Sequence, residues 1–100
     1  MTYRLRFHTL ALAEWKRLDG GLRMQFKKKL QERLAEPRIP SAALAGMPDC
    51  YKIKLRAAGY RLVYRVDDDI VFVTVISIGL RDKRQAYTRA QTRMTDEPAG

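Results

Sequence analysis

The sequence predicts an α+β fold in which two N-terminal helices pack on a small antiparallel β-sheet. Three observations support this prediction. A short segment that alternates apolar and basic residues comes first, two segments with helical periodicity follow it, and three strand-like segments joined by short turns come next. Because such strands form a meander and an amphipathic helix pair covers one of its faces, the predicted element order is β-α-α-β-β-β-α.

The first strand and the first helix are separated by a change of period. Residues 3–7, YRLRF, alternate between apolar and arginine side chains, which is typical of a half-buried strand. From Thr9, the predicted N-cap, the apolar spacing becomes i, i+4, i+7. The residues with this spacing are Ala11, Trp15 and Leu18. The sequence DGG at residues 19–21 then ends the helix.

The second helix is the clearest element in the sequence. An apolar ridge with i+4 spacing predicts a helix that faces a core, and this ridge consists of Leu22, Phe26, Leu30 and Leu34. The helix ends at Glu36-Pro37, because a proline disfavours helical geometry in the residue before it. Residues 37–49 contain three prolines and one glycine, and they predict a loop with one short turn.

Three strands are predicted after this loop. Residues 50–66 form a hairpin that turns at AAG, residues 57–59, where the glycine is free to adopt a positive φ. DDD at residues 67–69 makes the next turn. The segment IVFVTVISI, residues 70–78, is almost wholly apolar, as expected for a central strand that is covered on both faces.

The C-terminal residues predict a short basic helix and a tail. Residues 80–94 are weakly helical and strongly basic, whereas residues 95–100 predict a disordered tail. A chain of 100 residues has the size of one domain. We therefore expect a single domain at residues 1–94, with no second domain and no internal repeat.

Charge and composition narrow the class of protein. The net charge of +9 and the pI of about 10.1 fit a polyanionic partner. The longest apolar run, residues 70–76, is too short to span a bilayer, and no signal peptide is evident. Cys50, the single cysteine, excludes an internal disulfide and a cysteine zinc cluster. We expect a cytoplasmic protein without a metal or cofactor, in which the only histidine, His8, is a surface or capping residue.

Positive side chains collect on the predicted hairpin without acidic neighbours on its strands. Lys52 and Lys54 share one strand face, because side chains alternate along a strand. The sequence leaves open which face of the sheet Arg61 occupies. If the two strands pair symmetrically about Ala58, Arg61 faces away from the lysines, whereas one bulge would turn it toward them. Like charges on one sheet face repel each other. A group outside the chain is therefore expected to neutralise them.

These cations have two interpretations. They could be a solvated sheet face, to which Arg56 and Arg65 also belong. Alternatively, they could act on a phosphodiester, since an arginine binds two phosphate oxygens and a lysine crowded by cations has a lowered pKa. Cleaving RNA through its own 2′-hydroxyl requires a base, a stabilised phosphorane and an acid. Tyr87 could stack on an unpaired base.

Three blocks of sequence decide between these interpretations, namely GMPDCYKIKLR at 46–56, GYRLVYRV at 59–66 and VISIGLRDKRQAY at 75–87. These blocks closely resemble the RelE family of bacterial toxins. The helical segments that resemble it too are AEWKRL at 13–18 and KKKLQERLAEPRI at 27–39. In order and spacing, the resemblance covers most of residues 1–90.

The resemblance implies a toxin of a type II toxin-antitoxin system that cleaves messenger RNA in the ribosomal A site, without a metal. It also implies a RelB-like antitoxin that holds the toxin inactive. Lys52 and Lys54 would then serve in proton transfer and charge stabilisation, and Arg61 would bind the phosphate. Arg81 would stabilise the leaving oxygen, and Tyr87 would orient or stack the nucleotide.

Other basic residues are predicted to bind RNA or the ribosome through the phosphate backbone. They are Arg23, Lys27, Lys28, Lys29, Arg56, Arg65, Lys83 and Arg84. Two alternatives stay open. One is a non-nucleolytic ParE-like inhibitor of DNA gyrase, since the same superfamily includes such toxins, and the other is a basic RNA-binding module without catalysis.

Overall fold

The structure is a computed structural model that describes residues 2–81 and 84–94. In chain order the elements are β1 (Arg4–Phe7), α1 (Thr9–Arg17), α2 (Gly20–Ala35), a 3₁₀ turn (Pro40–Ala42), β2 (Cys50–Leu55), β3 (Tyr60–Asp67), β4 (Phe72–Leu80) and α3 (Gln85–Arg93). This order confirms the predicted α+β fold. The predicted tail at residues 95–100 lies outside the described residues. No helix within the described residues is long and apolar enough to cross a lipid bilayer.

The four strands form one sheet in the order β1-β4-β3-β2. β2, β3 and β4 pair antiparallel, as the predicted meander requires. β1 pairs with β4 in parallel, so the sheet is mixed, whereas we predicted a wholly antiparallel one. The two helices that separate β1 from the meander explain this pairing, because parallel neighbours need a long crossover connection.

Side chains define where α1 and α2 begin. Nδ1 of His8 accepts a hydrogen bond from the amide of Leu10 at 3.1 Å, so the N-cap of α1 is His8 and not Thr9. His8 is only 4% exposed, which makes it a capping residue rather than a surface one. The Asp19 carboxylate caps α2 in the same way. Consequently Gly20 begins α2 instead of ending α1.

Hydrophobic residues pack on both faces of the sheet. Phe26 and Leu30, from the predicted ridge of α2, pack with α1 against one face. Ala86 and Ala90 of α3 pack against the other face, where Ile76 is buried. β4 is therefore covered on both sides, as predicted for a central strand.

The boundaries of β4 differ from the prediction by two residues. The turn after β3 occupies residues 68–71 rather than 67–69. Val71 has a φ of 58°, which takes it out of the extended conformation and delays the start of the strand. β4 then continues to Leu80, directly before Arg81, which is one of the residues predicted to be catalytic.

Gly79 allows α3 to lie close to the end of β4. A Cβ atom at this position would be 2.5 Å from Cβ of Gln85 and 2.8 Å from the backbone nitrogen of Ala86. Both atoms belong to the first turn of α3, which cannot move without moving the helix. Glycine is therefore required here by a close backbone approach rather than by a positive φ.

We predict that Gly79→Ala lowers the free energy of unfolding by about 1–3 kcal/mol, because it overpacks the contact between β4 and α3. Urea unfolding followed by circular dichroism measures this change. Gly20→Ala is the matched control, since its Cβ would meet only the end of the Arg23 side chain at 4.0 Å. The control should unfold like the wild type or be stabilised by at most about 1 kcal/mol. Equal stability of the two variants would contradict the close approach.

Candidate functional site

The register of the hairpin places three predicted catalytic side chains on one face of the sheet. The turn occupies residues 56–59, and Lys54 lies directly opposite Arg61. The symmetric count about Ala58 is therefore wrong, because the turn contains one residue more than the count assumed. Arg61 reaches the lysine side by regular pairing of β2 with β3 rather than by a bulge. Lys52 shares this face, two residues before Lys54.

An irregular turn brings Arg81 and Tyr87 to the same end of the sheet. The amide of Arg81 donates to the carbonyl of Gly59 at 2.8 Å, which ties the end of β4 to the tip of the hairpin. Arg84 has a left-handed conformation with a φ of 52°, and its amide donates to the carbonyl of Arg81 at 3.0 Å. α3 starts directly after this turn, so Tyr87 lies in its first turn. This turn explains how residues six positions apart can line the same cleft.

Arg61 and Tyr87 are in direct contact. Nη1 of Arg61 donates a hydrogen bond to the Tyr87 hydroxyl at 2.7 Å. The guanidinium carbons of Arg61 and Arg84 lie 5.0 Å and 5.5 Å from the centre of the Tyr87 ring, within the range of cation–π contacts. Nε of Arg61 is buried and has no hydrogen-bond partner among the residues that the structure describes. The ring and the guanidinium thus hold each other in place.

These side chains line one cleft of about 610 Å³. Its cationic residues are Lys52, Lys54, Arg61, Arg81 and Arg84. The other described residues of its wall are Ala43, Leu44, Ala45, Met47, Tyr87 and Gln91. None of these is acidic, and none of the five cations forms an ion pair with a carboxylate within residues 2–81 and 84–94. The cleft is therefore suited to an anion.

The crowding of charges changes the acidity of Lys54. Its pKa is lowered, chiefly by the positive charge of Lys52, then by partial desolvation, and then by Arg61, Arg56 and Arg81. A lysine with a lowered pKa is neutral for a larger fraction of the time at a given pH. Lys54 is thus better able to accept a proton than an isolated lysine is.

A second, smaller groove continues from the cleft along the edge of the sheet. It has a volume of about 220 Å³ and shares Lys52 and Lys54 with the cleft. Lys29, Arg33 and Arg56 add positive charge to it. An extended polyanion could therefore pass from the cleft into this groove without leaving cationic surface.

Two of the cations predicted to bind RNA are engaged within the protein. Nε of Arg65 donates to the Asp67 carboxylate at 3.0 Å. Arg23 donates to the carbonyls of Lys16 and Leu18, which caps the C-terminal end of α1. Both arginines therefore have structural partners that the sequence pattern did not indicate.

The other predicted RNA-binding residues are distributed unevenly. Lys27, Lys28 and Lys29 are exposed on α2, but successive residues of a helix point 100° apart. Of the three, Lys29 lines the groove beside the cleft, whereas Lys27 lies beside α1. Arg56 and Arg84 are also exposed and line the groove and the cleft, respectively. Lys83 lies outside the described residues.

Arg33 supports the site and was missed as a functional residue. Its Nη1 donates to the carbonyl of Lys52 at 3.1 Å and to the hydroxyl of Tyr64 at 2.9 Å. These bonds fix the backbone of β2 at the first lysine. Because the partners lie 19 and 31 residues away, no local sequence signal could reveal them.

The loop that forms one wall of the cleft is anchored by Arg38. Its guanidinium contacts Asp68 at 2.7 Å and Asp49 at 3.0 Å, and it donates to the Tyr51 hydroxyl at 3.3 Å. Asp68 belongs to the turn between β3 and β4, whereas Asp49 directly precedes β2. The loop at residues 39–49 is thus held at both ends, which places Leu44 and its neighbours beside the cations.

Comparison with protein families gives one match that covers most of the chain. The family of ParE toxins of type II toxin-antitoxin systems matches residues 5–84. The mRNA interferase toxin RelE of Escherichia coli K12 is 53% identical over 94 residues, which cover 94% of this chain and 99% of that protein. A putative RelE-like toxin protein of Escherichia coli is 47% identical over the same coverage.

Solved structures agree with these matches. A free double mutant of the Escherichia coli toxin RelE superposes with a TM-score of 0.87 at 52% identity, over 94% of this chain and 99% of that one. The toxin in the intact Escherichia coli RelBE toxin-antitoxin complex superposes with a TM-score of 0.77 at 58% identity, over 78% and 95% of the two chains. An archaeal RelE from Pyrococcus horikoshii, at 22% identity, shares the fold with a TM-score of 0.61.

We predict that Lys52→Met raises the pKa of Lys54, because it removes the charge that lowers this pKa most. NMR titration of ¹³C-methylated lysines measures the pKa of Lys54 in both proteins. Lys27→Met is the matched control, since it removes the same charge from a site outside the cleft. An unchanged Lys54 pKa in the Lys52 variant, or an equal rise in the control, would contradict this coupling.

Proposed function

Because the chain belongs to the RelE family of type II toxins, we propose that it is a ribosome-dependent endoribonuclease that cleaves messenger RNA and inhibits translation. The observation that supports this most directly is the shared cleft. Lys52, Lys54, Arg61, Arg81 and Tyr87 come from two strands, a turn and a helix, and all five line it. Residues 1–94 act as one toxin domain in this proposal.

The reaction begins at the 2′-hydroxyl of the nucleotide before the scissile bond. Neutral Lys54 accepts the proton of this hydroxyl, which its lowered pKa favours. The 2′-oxygen then forms a bond to phosphorus, and the bond from phosphorus to the 5′-oxygen breaks. The products are a 2′,3′-cyclic phosphate and a 5′-hydroxyl, whose oxygen takes up one proton as it leaves.

The cations of the cleft stabilise the charge that develops on the phosphate. Lys52 and Arg61 flank the position of Lys54 on the sheet and bind the non-bridging oxygens. Arg81, at the end of β4, stabilises the leaving 5′-oxygen. A phosphorane carries more negative charge than the diester, so these contacts strengthen as the reaction proceeds.

Tyr87 orients the nucleotide. Because its hydroxyl oxygen accepts a hydrogen bond from Arg61, its own proton is available for a substrate oxygen. Its ring lies in the wall of the cleft, where an unstacked base can pack against it. Alignment of the attacking and leaving oxygens then depends on the fixed pair of Arg61 and Tyr87.

The binding partners are inferred from the net charge of the chain and from the complexes that its relatives form. The RelE of Escherichia coli forms a complex with an antitoxin, and we infer that a RelB-like antitoxin binds this chain and inhibits it. The net charge of +9 favours binding to ribosomal RNA, with Lys29 and Arg56 extending the cationic surface of the cleft. Ribosomes and messenger RNA place this activity in the cytoplasm.

We predict that the double variant Lys52→Ala, Lys54→Ala lowers cleavage of ribosome-bound messenger RNA by about 100-fold or more, because it removes the proton acceptor and its cationic neighbour. Mapping of cut sites by primer extension measures the rate, with naked RNA as the substrate control. Lys16→Ala with Arg17→Ala removes the same charge from the exposed end of α1 and should cleave like the wild type.

Two results would contradict the proposed function. Full cleavage by the folded double-lysine variant would remove the lysines from the mechanism. Intact transcripts on translating ribosomes, together with inhibition of DNA gyrase in a supercoiling assay, would instead identify the chain as a ParE-like inhibitor. The match to the ParE toxin family makes this second assay necessary.

A further inference from the structure

Within residues 2–81 and 84–94, one edge of β4 has no neighbouring strand along about half of its length. β1 pairs only with the first part of β4, up to Val75. β4 continues to Leu80, so among the described strands residues 76–80 have a neighbour only on the β3 side. Buried backbone groups need hydrogen-bond partners, and an open edge of this kind is a structural liability.

Side chains from two helices take the place of the missing strand. The side-chain oxygen of Glu14, in α1, accepts a hydrogen bond from the amide of Ile78 at 3.0 Å. The side-chain oxygen of Gln85, in α3, accepts one from the amide of Leu80 at 3.1 Å. Arg89 donates a hydrogen bond to the carbonyl of Ile78 at 2.6 Å, and Arg93 donates one to the carbonyl of Ile76 at 3.0 Å. The edge is thereby bonded at alternate residues, as a strand would bond it.

Glu14 holds this arrangement together. Its carboxylate receives two hydrogen bonds from Arg93, at 2.9 Å and 2.7 Å, and pairs with Arg89 at 3.0 Å. The side chains of Glu14 and Arg93 are only 12% and 9% exposed. Such a buried, two-pronged pair is geometrically specific, and removing one partner leaves the other charge buried and unpaired. One carboxylate therefore connects α1, β4 and α3.

The helix that Glu14 holds also carries part of the cleft. Residues 85, 89 and 93 of α3 face the edge of β4, whereas Tyr87 and Gln91 line the cleft. The buried Ala86 and Ala90 separate these two faces. Because the faces belong to one rigid helix, a rotation of α3 that breaks the bonds to β4 also moves the Tyr87 ring.

We propose that Glu14 is a positioning residue for RNA cleavage: it fixes the rotation of α3 and so holds Tyr87 against Arg61 in the cleft. This inference rests on the proposed endoribonuclease function. Glu14 is not among the residues that line the cleft, where the substrate is proposed to bind. Its effect on the reaction is exerted only through the position of α3.

The test is Glu14→Gln, which keeps an acceptor for the Ile78 amide but removes the charge that Arg89 and Arg93 bind. We expect single-turnover cleavage at saturating ribosomes to fall about 10- to 100-fold, as small misplacements at an active site do. The ribosome concentration at half-saturation should stay within about twofold, because the ribosome-binding cations are intact. Glu36→Gln, at an exposed position after α2, is the control with the same charge change and should cleave like the wild type.

A double-mutant cycle separates positioning from general destabilisation. If Glu14 acts through Tyr87, then Glu14→Gln should lower cleavage by at most about twofold in a Tyr87→Ala background. Hydrogen exchange should show faster exchange in α3 and at the amides of Ile78 and Leu80, with the β2–β3 hairpin unchanged. Equal, independent losses in the two backgrounds, or wild-type cleavage by Glu14→Gln, would overturn the proposal.

A second variant covers the case in which Glu14→Gln does not fold. Arg89→Gln removes the more exposed arginine, at 37% exposure, and leaves the pair of Glu14 and Arg93 in place. It should lower cleavage in the same direction but by a smaller factor, and wild-type cleavage by this folded variant would overturn the proposal. Absence of cleavage by the wild type would contradict the proposed function itself, whereas an active wild type with an equally active variant contradicts only the role of Glu14.

Discussion

Electrostatic repulsion among the cations of the cleft is the constraint that the rest of the structure has to offset. Lys52, Lys54 and Arg61 lie side by side on two paired strands, and the described wall of the cleft contains no carboxylate. Repulsion of this kind opposes folding. It is offset by the regular hydrogen bonds between β2 and β3 and by the apolar side chains that alternate with the cations and enter the core. A bound phosphate relieves the repulsion, which is why the arrangement favours an anionic substrate.

The described ion pairs divide the cations of the protein into two groups. Asp67 pairs with Arg65, and Arg38 is held by Asp68 and Asp49, both at the end of the sheet away from the hairpin turn. The Arg38 pairs fix a loop and a turn, and the positive charge of both arginines is neutralised within the fold. The cations of the cleft keep their charge available because no described residue of its wall is acidic. The distribution of a few carboxylates thus distinguishes these paired arginines from the cations that line the cleft.

α3 links the stability of the fold to the geometry of the cleft. It covers one face of the sheet with two alanines, bonds the open edge of β4 with polar side chains, and presents Tyr87 to Arg61. The close approach at Gly79 makes all three contacts possible, since any Cβ there would push the helix away. A short helix with weak intrinsic propensity is therefore ordered by tertiary contacts, as short helices generally are.

Local patterns in the sequence determined the elements of the fold and the shared face of Lys52 and Lys54, because the periods of helices and strands depend only on neighbouring residues. The tertiary structure alone decided the rest. The side of Arg61 depended on one extra residue in the turn, and its contact with Tyr87 joins residues 26 positions apart. The parallel addition of β1 also depends on how the strands meet, whereas Arg65 pairs with Asp67 because β3 extends as far as Asp67. Periodicity carries no information on distances between elements, and those distances decide which charges are neutralised and which remain to bind a substrate.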